Sequence, residues 1–356
     1  MTYGWSRGLQ QDFAPYAALG LLAGRVIVQQ RGLYRLATEA GEIDARLSGR
    51  FHHAAGEGEH PVAGDWVAAQ GGDGFALIQA VLPRRTAFVR KEAGTAHGLQ
   101  VVAANVDVAL LTLSLNADLN LRRLERYLAA TYESGAAPVV VLTKADQAGD
   151  AAGAASAVAR IAGGAPVIVL SALTGAGLPA LAEQLEPRRT AVLLGSSGVG
   201  KSTLVNAFAG AELMATRAIR EDDETGRHTT THRELIRLPS GALILDTPGM
   251  RELGLVDAGA GVAAVFGAIE AEVEALAAEC RFKDCRHEAE PGCAVQAALA
   301  EGRLDPARYD SWLKLQRELA HERAEADPAF RKAQQREWIV RMKSSRAWMK
   351  QKRRME

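Results

Sequence analysis

The sequence predicts a multidomain α/β protein in three parts: an N-terminal OB-type β-barrel, a doubly wound sheet of buried strands, and a helical C-terminal part carrying metal ligands. Three observations predict it. Short β-rich segments broken by Gly-rich turns fill residues 24–90. From Val106 the pattern changes to apolar runs separated by longer helical segments. The three cysteines, Cys280, Cys285 and Cys293, all fall in one short stretch of the C-terminal part. At 356 residues the chain exceeds one ordinary core and suits two or three domains.

The barrel rests on segments 25–28, 33–36, 43–47, 65–68 and 75–78, five short strands whose spacing suits a small OB-type barrel. A basic stretch with Arg84, Arg85, Arg90 and Lys91 then reads as a linker. The expected boundaries are 1–90 for the N-terminal segment and barrel, 91–258 for the doubly wound domain, 259–330 for the metal-binding part and 331–356 for a tail. Apolar runs at 106–113, 139–142, 167–170, 191–194 and 243–245 read as parallel strands covered on both faces. After about residue 259 the chain reads as helical and polar, apart from the cysteine segment.

Composition excludes some classes. Hydrophobic residues at 48% and charged residues at 24% belong to a globular chain and not to a disordered one. No apolar run approaches the roughly 18 residues of a membrane span. The start at Met1 lacks a secretory plan, so the expectation is a cytoplasmic monomer without a membrane partner. Lys plus Arg and Asp plus Glu balance at 42 each, yet the tail concentrates Arg331, Lys332, Arg336, Arg341, Lys343, Arg346, Lys350, Lys352, Arg353 and Arg354. Such a tail suits a phosphate backbone better than a membrane surface, because Trp338, Met342 and Trp348 make a poor apolar stripe.

The strand at 191–194 is followed by Gly195, Ser196, Ser197, Gly198, Val199, Gly200, Lys201, Ser202 and Thr203, which fit the phosphate-loop pattern G-x-x-x-x-G-K-[ST]. Its glycines let backbone N–H groups turn inward around phosphates, and the following helix adds its positive end. Lys201 is expected to reach the β- and γ-phosphates and Ser202 to ligate Mg²⁺. Asp246, closing the strand at 243–245, is placed to hold the Mg²⁺ shell, and Gly249 of the same D-T-P-G to offer an N–H to the γ-phosphate. Between these motifs, one of Thr229, Thr230 and Thr231 is expected to complete the shell, with Thr230 the nominee.

Base choice is read from Thr143, Lys144, Ala145 and Asp146, which resemble the N/T-K-x-D motif of GTPases. A carboxylate at Asp146 accepts from guanine N1–H and N2–H₂, a donor pair that adenine lacks, while Lys144 lays its alkyl stem on the base. Ser171, Ala172 and Leu173 resemble the companion S-A-[LK] loop that contacts guanine O6. Thr143 stands where many GTPases place Asn, and losing an Asn that bridges base and phosphate loop is expected to weaken nucleotide binding. In most GTPases the phosphate loop precedes the base motif, whereas here it follows. The domain therefore reads as a circularly permuted P-loop GTPase, a rearrangement that leaves sheet and site intact.

A glutamine that orients water follows D-x-x-G in Ras-like GTPases; Met250 holds that position here, so His228 becomes the catalytic candidate beside Lys201, with His232 second. Cys280, Cys285, His287 and Cys293 supply three thiolates and an imidazole, a closed tetrahedral set for one structural Zn²⁺. A nucleotide kinase or ATPase also uses a phosphate loop, but the two guanine motifs argue against it. An RNA-binding module with vestigial hydrolysis fits the barrel and tail, but not an intact Lys201, Ser202 and Asp246.

Together with Asn116, the run from Asn120 to Tyr127 and Gly226 to Thr231, these motifs resemble the ribosome small-subunit-dependent GTPase A (RsgA) family over nearly the whole chain. The resemblance implies an OB-fold barrel, a permuted GTPase domain and a helical zinc-binding domain. It also implies action in late maturation of the small ribosomal subunit through contact with its rRNA.

Overall fold

The computed structural model describes residues 3–30, 32–56, 58–72, 74–91, 99–116, 119–210, 233–246 and 259–326. The chain divides into two compact units, the first built from residues 1–90, 99–254 and 260–265, the second from 91–98, 255–259 and 266–356.

The first unit opens with helix α1 (Arg7–Ala17), capped by the Ser6 side chain. Strands β1 (Leu22–Gln30), β2 (Leu33–Ala37), β3 (Glu42–Leu47), β4 (Trp66–Gly71) and β5 (Phe75–Val81) follow, with the short helix α2 (Gly49–Ala54) between β3 and β4. They pair in the order β1-β2-β3-β5-β4, and β4 returns to β1, so the five strands close into a barrel. Only β3 and β5 pair in parallel. Val26, Tyr34, Leu36, Ala45, Val67, Ala69, Ala76 and Ile78 fill the interior. The strands alternate as a closed sheet requires, one face inward and one outward. Outside, Trp5 and Phe13 cover Trp66, and the two indoles meet edge to face at 4.9 Å.

The stretch expected to be a linker is structural. Strands β6 (Ala87–Lys91) and β7 (Leu99–Ala104) pair with each other. Arg84 grips the fully buried Asp65 with Nε and Nη2 at 2.9 and 2.7 Å. Burial holds the Asp65 carboxyl above its ordinary value, and the Arg84 hydrogen bonds and charge pull it down. Removing one partner of such a pair leaves a lone buried charge, at about 3–5 kcal/mol.

The parallel sheet comprises β8 (Val108–Ser114), β9 (Ala137–Thr143), β10 (Val167–Val169), β11 (Thr190–Leu194), β12 (Arg233–Arg237) and β13 (Leu243–Asp246). Its spatial order is β10-β9-β8-β11-β13-β12, with β12 alone antiparallel. Every residue of β8 is buried, as expected for a strand covered on both faces. Helices α3 (Leu121–Ser134), α4 (Ala151–Ile161), α5 (Leu178–Ala182) and α6 (Lys201–Ala209) connect the strands. Asn120 caps α3 through its side chain on the Arg123 N–H, and Gly135 ends it in the left-handed region.

Barrel and sheet share β1. Its far end pairs antiparallel with β12, Val28 opposite Glu234 and Gln29 opposite Arg233. Its near end carries Arg25, whose buried guanidinium donates to Tyr3 O, Gly64 O, Asn105 O and Thr190 Oγ1 at 2.6–3.2 Å. Burial lowers Arg25 to about 10, which leaves it charged at neutral pH. Four oxygens from four distant segments thereby fix the barrel against the start of β11.

The second unit contains most of α7 (Gly259–Ala277), then α8 (Ala294–Ala300) and α9 (Pro306–Ala326). This part is helical as expected, but α7 is not polar: Val262, Val265, Phe266, Ile269, Val273 and Leu276 are buried at helical spacing.

Candidate active site and metal centre

The described nucleotide motifs lie at the carboxyl ends of the parallel strands, the edge at which open α/β sheets bind ligands. β11 ends at Leu194 and enters the phosphate loop. Gly195 is required there, since a Cβ would stand 2.5 Å from Thr112 O, and Gly200 sits at φ +100. Helix α6 starts at Lys201, so its N-terminal N–H groups face the loop, with Ser202 and Thr203 in the first turn. The Lys201 ammonium curls over the loop and donates to Gly195 O at 2.7 Å and Ser196 O at 2.6 Å. Asp246 is the last residue of β13, the parallel neighbour of β11, so its carboxylate shares the edge with Ser202.

The guanine-type motifs close β9 and β10. Lys144 takes the left-handed conformation at φ +58, which turns the chain sharply into a 3-10 turn, Ala145–Gln147. The Ala145 N–H donates to Leu170 O at 3.1 Å, tying the two loops together. The Ser171 hydroxyl donates to Asp146 Oδ1 at 2.5 Å. One carboxylate oxygen is thereby held, and Ala172 follows on the same loop.

Thr143 amends the sequence expectation. Its Oγ1 lies 2.6 Å from Val199 O in the phosphate loop and 3.2 Å from Leu113 O, so its single proton goes to the nearer oxygen. The link from base motif to phosphate loop is kept, carried by a hydroxyl in place of an amide. Because β8 alone separates β9 from β11, base and phosphate loops stand two strand spacings apart, about 10 Å. Thr230, His228 and Gly249, along with the tail at 331–356, lie outside the described residues.

In the second unit the four expected metal ligands converge, their ligand atoms all within 4.8 Å of one another. Cys280 Sγ lies 3.9 Å from Cys293 Sγ and 3.6 Å from His287 Nδ1, and Cys293 Sγ lies 3.4 Å from the same nitrogen. A tetrahedral ion with metal–sulfur bonds of about 2.3 Å requires sulfur–sulfur edges of about 3.8 Å, so the donor set fits. Backbone N–H groups of Ala294 and Gln296 donate to Cys280 and Cys293, both at 3.4 Å, and support thiolate charge. The Gln296 amide binds His287 O, which fixes a residue strained at φ +62. Burial pushes the Cys285 thiol up to about 11, a cost that a bound dication removes.

Sequence reading missed the residues that join these parts. Arg25 looked like one cation in a strand, and Arg84 like part of a linker. Their partners are too far away in sequence to signal either role.

The fold and site define a P-loop GTPase with circularly permuted motif order. A model described as RsgA GTPase matches residues 81–256. The small ribosomal subunit biogenesis GTPase RsgA of Opitutus terrae is 48% identical over 350 residues, covering 95% of this chain and 94% of its own. The protein of the same name from Streptomyces avermitilis is 46% identical, covering 99% and 94%. The crystal structure of YjeQ from Thermotoga maritima superposes with a TM-score of 0.58 at 25% identity, covering 84% of this chain and 98% of that one. The chain belongs to the RsgA GTPase family. It is a GTP-hydrolysing enzyme, and no helix among the described residues is long and apolar enough to cross a membrane.

Proposed function

We propose that this GTPase binds the small ribosomal subunit in the cytoplasm as a monomer, contacts its rRNA, and acts in its late maturation. The near-full-length likeness to relatives named for small-subunit biogenesis carries this reading. In the site, the loop from Gly195 to Thr203 cradles the phosphates and Lys201 meets the β- and γ-oxygens. Ser202, Asp246 and Thr230 hold Mg²⁺, and Gly249 approaches the γ-phosphate. Asp146 reads guanine, Lys144 covers the base and the Ser171–Ala172 backbone meets O6. His228 positions the attacking water.

Sedimentation with isolated subunits tests the partner. With a non-hydrolysable GTP analogue the protein should travel with the small subunit and not the large one. Equal recovery with both, or with neither, would reject the reading.

Cys280, Cys285, His287 and Cys293 hold a structural Zn²⁺, whose charge offsets that of the thiolates. Elemental analysis should find about one zinc per chain. Stripping it with a strong chelator should loosen the segment around Cys280–Cys293 while guanine nucleotide binding persists. Native protein without zinc would contradict the assignment.

A further inference from the structure

Three histidines gather on the barrel, far in sequence from Cys280–Cys293. The last turn of α2 carries His52 and His53, and His60 lies on the loop that leads from α2 to β4. The His52 ring stands 5.7 Å, centre to centre, from that of His53 and 5.7 Å from that of His60, at interplanar angles of 75° and 73°. His52 and His53 are exposed, and His60 is half-buried.

Backbone contacts anchor both segments that carry these rings. The Ser48 hydroxyl caps α2 by accepting from the Phe51 N–H at 3.2 Å, and the Ser48 N–H donates to Ile78 O on β5 at 2.9 Å. On the loop, Arg84 donates to Gly58 O at 2.6 Å and to His60 O at 2.9 Å while it grips Asp65. Between them the Gly56 N–H donates to Glu59 Oε2 at 2.8 Å and tightens the turn. Two anchored segments thereby present three imidazoles to one another, and side-chain rotation can adjust them further.

Imidazole nitrogen is a common ligand of first-row divalent ions, at about 2.0–2.1 Å for zinc. Two imidazoles that share a tetrahedral ion at this distance have ring centres about 5 Å apart, and about 6 Å as the angle at the ion opens. Both separations from His52 fall in that interval. Among the described residues, the group whose ligand atoms already lie within 4.8 Å of one another is Cys280, Cys285, His287 and Cys293. The histidines are a more open arrangement, which an ion closes by rotating exposed rings.

We propose that His52, His53 and His60 form a second metal site, which takes Zn²⁺ or another borderline divalent ion and leaves its remaining position to water. The ion ties α2 to the loop held by Arg84 and so braces the stretch between β3 and β4. Neutral imidazoles at an exposed place hold zinc less tightly than three thiolates. Dialysed protein therefore keeps the ion of Cys280–Cys293 alone, and the histidine site fills when metal is added.

The test titrates Zn²⁺ into the dialysed, nucleotide-free full-length protein by calorimetry, with His52→Ala, His53→Ala, His60→Ala and the triple variant alongside. Guanine nucleotide affinity checks that each variant is folded. The wild type should take up one more ion per chain than the triple variant, and each single change should weaken that uptake by roughly tenfold or more. Histidine ring signals followed by NMR should shift for these three residues and not for His321. Equal uptake by the wild type and the triple variant would overturn the proposal, and so would wild-type affinity in any single variant.

Discussion

Asp146→Asn should lower GTP affinity by roughly 10²- to 10⁴-fold and move base preference toward xanthine, because two charge-assisted hydrogen bonds of about 1.5–3 kcal/mol each are lost together. The direction follows from the geometry around the carboxylate. Ser171 already donates to Oδ1. An Asn in its place keeps an oxygen toward Ser171 and turns its NH₂ toward the base, where guanine presents only donors. Xanthine offers the carbonyl at C2 that this NH₂ needs. Competition binding with GTP, ATP and xanthosine triphosphate measures the change. A variant that still prefers GTP by the wild-type margin would remove Asp146 from base recognition.

The chemistry of this protein was more legible than its assembly, and for a physical reason. A phosphate loop needs glycines at fixed offsets after a strand, so Gly195 to Ser202 announce themselves locally. The cysteine cluster is local too, with its ligands spanning residues 280 to 293. The five barrel strands were visible as short β-rich segments broken by Gly-rich turns. The Arg25 hub, by contrast, joins residues 3, 64, 105 and 190, and no window of sequence contains that set. Arg84 read as linker because its partner, Asp65, stands 19 residues earlier.

Helix α7 was misread as polar because its alanines and glutamates obscure a buried stripe from Val262 to Leu276 at three- and four-residue spacing. Thr143 shows the reverse case. A departure from the usual Asn suggested a lost contact, yet the hydroxyl reaches Val199 O.

The joined construction offers a route by which the proposed partner would control hydrolysis. β1 belongs to the barrel and also borders β12, and β12 borders β13, which ends at Asp246. Force applied to the barrel thus reaches β12, the strand that follows the threonine-rich segment, through one row of backbone hydrogen bonds, and β13 through a second. Met250 stands in sequence where Ras-like enzymes carry the water-orienting glutamine, and a thioether does not orient an attacking water as an amide does. Slow turnover alone and fast turnover with the partner are the expected consequence, with His228 supplying the missing polar group once ordered.

GTP turnover measured for the free protein, with isolated small subunits and with isolated large subunits tests this account most directly. Partner activation of GTPases spans roughly 10³- to 10⁵-fold, and an increase of that order is predicted with the small subunit and little with the large one. His228→Ala should lose most of the stimulated rate while still binding GTP, and a fully active variant would remove the histidine alone. Equal rates with and without the small subunit would contradict ribosome-coupled hydrolysis itself.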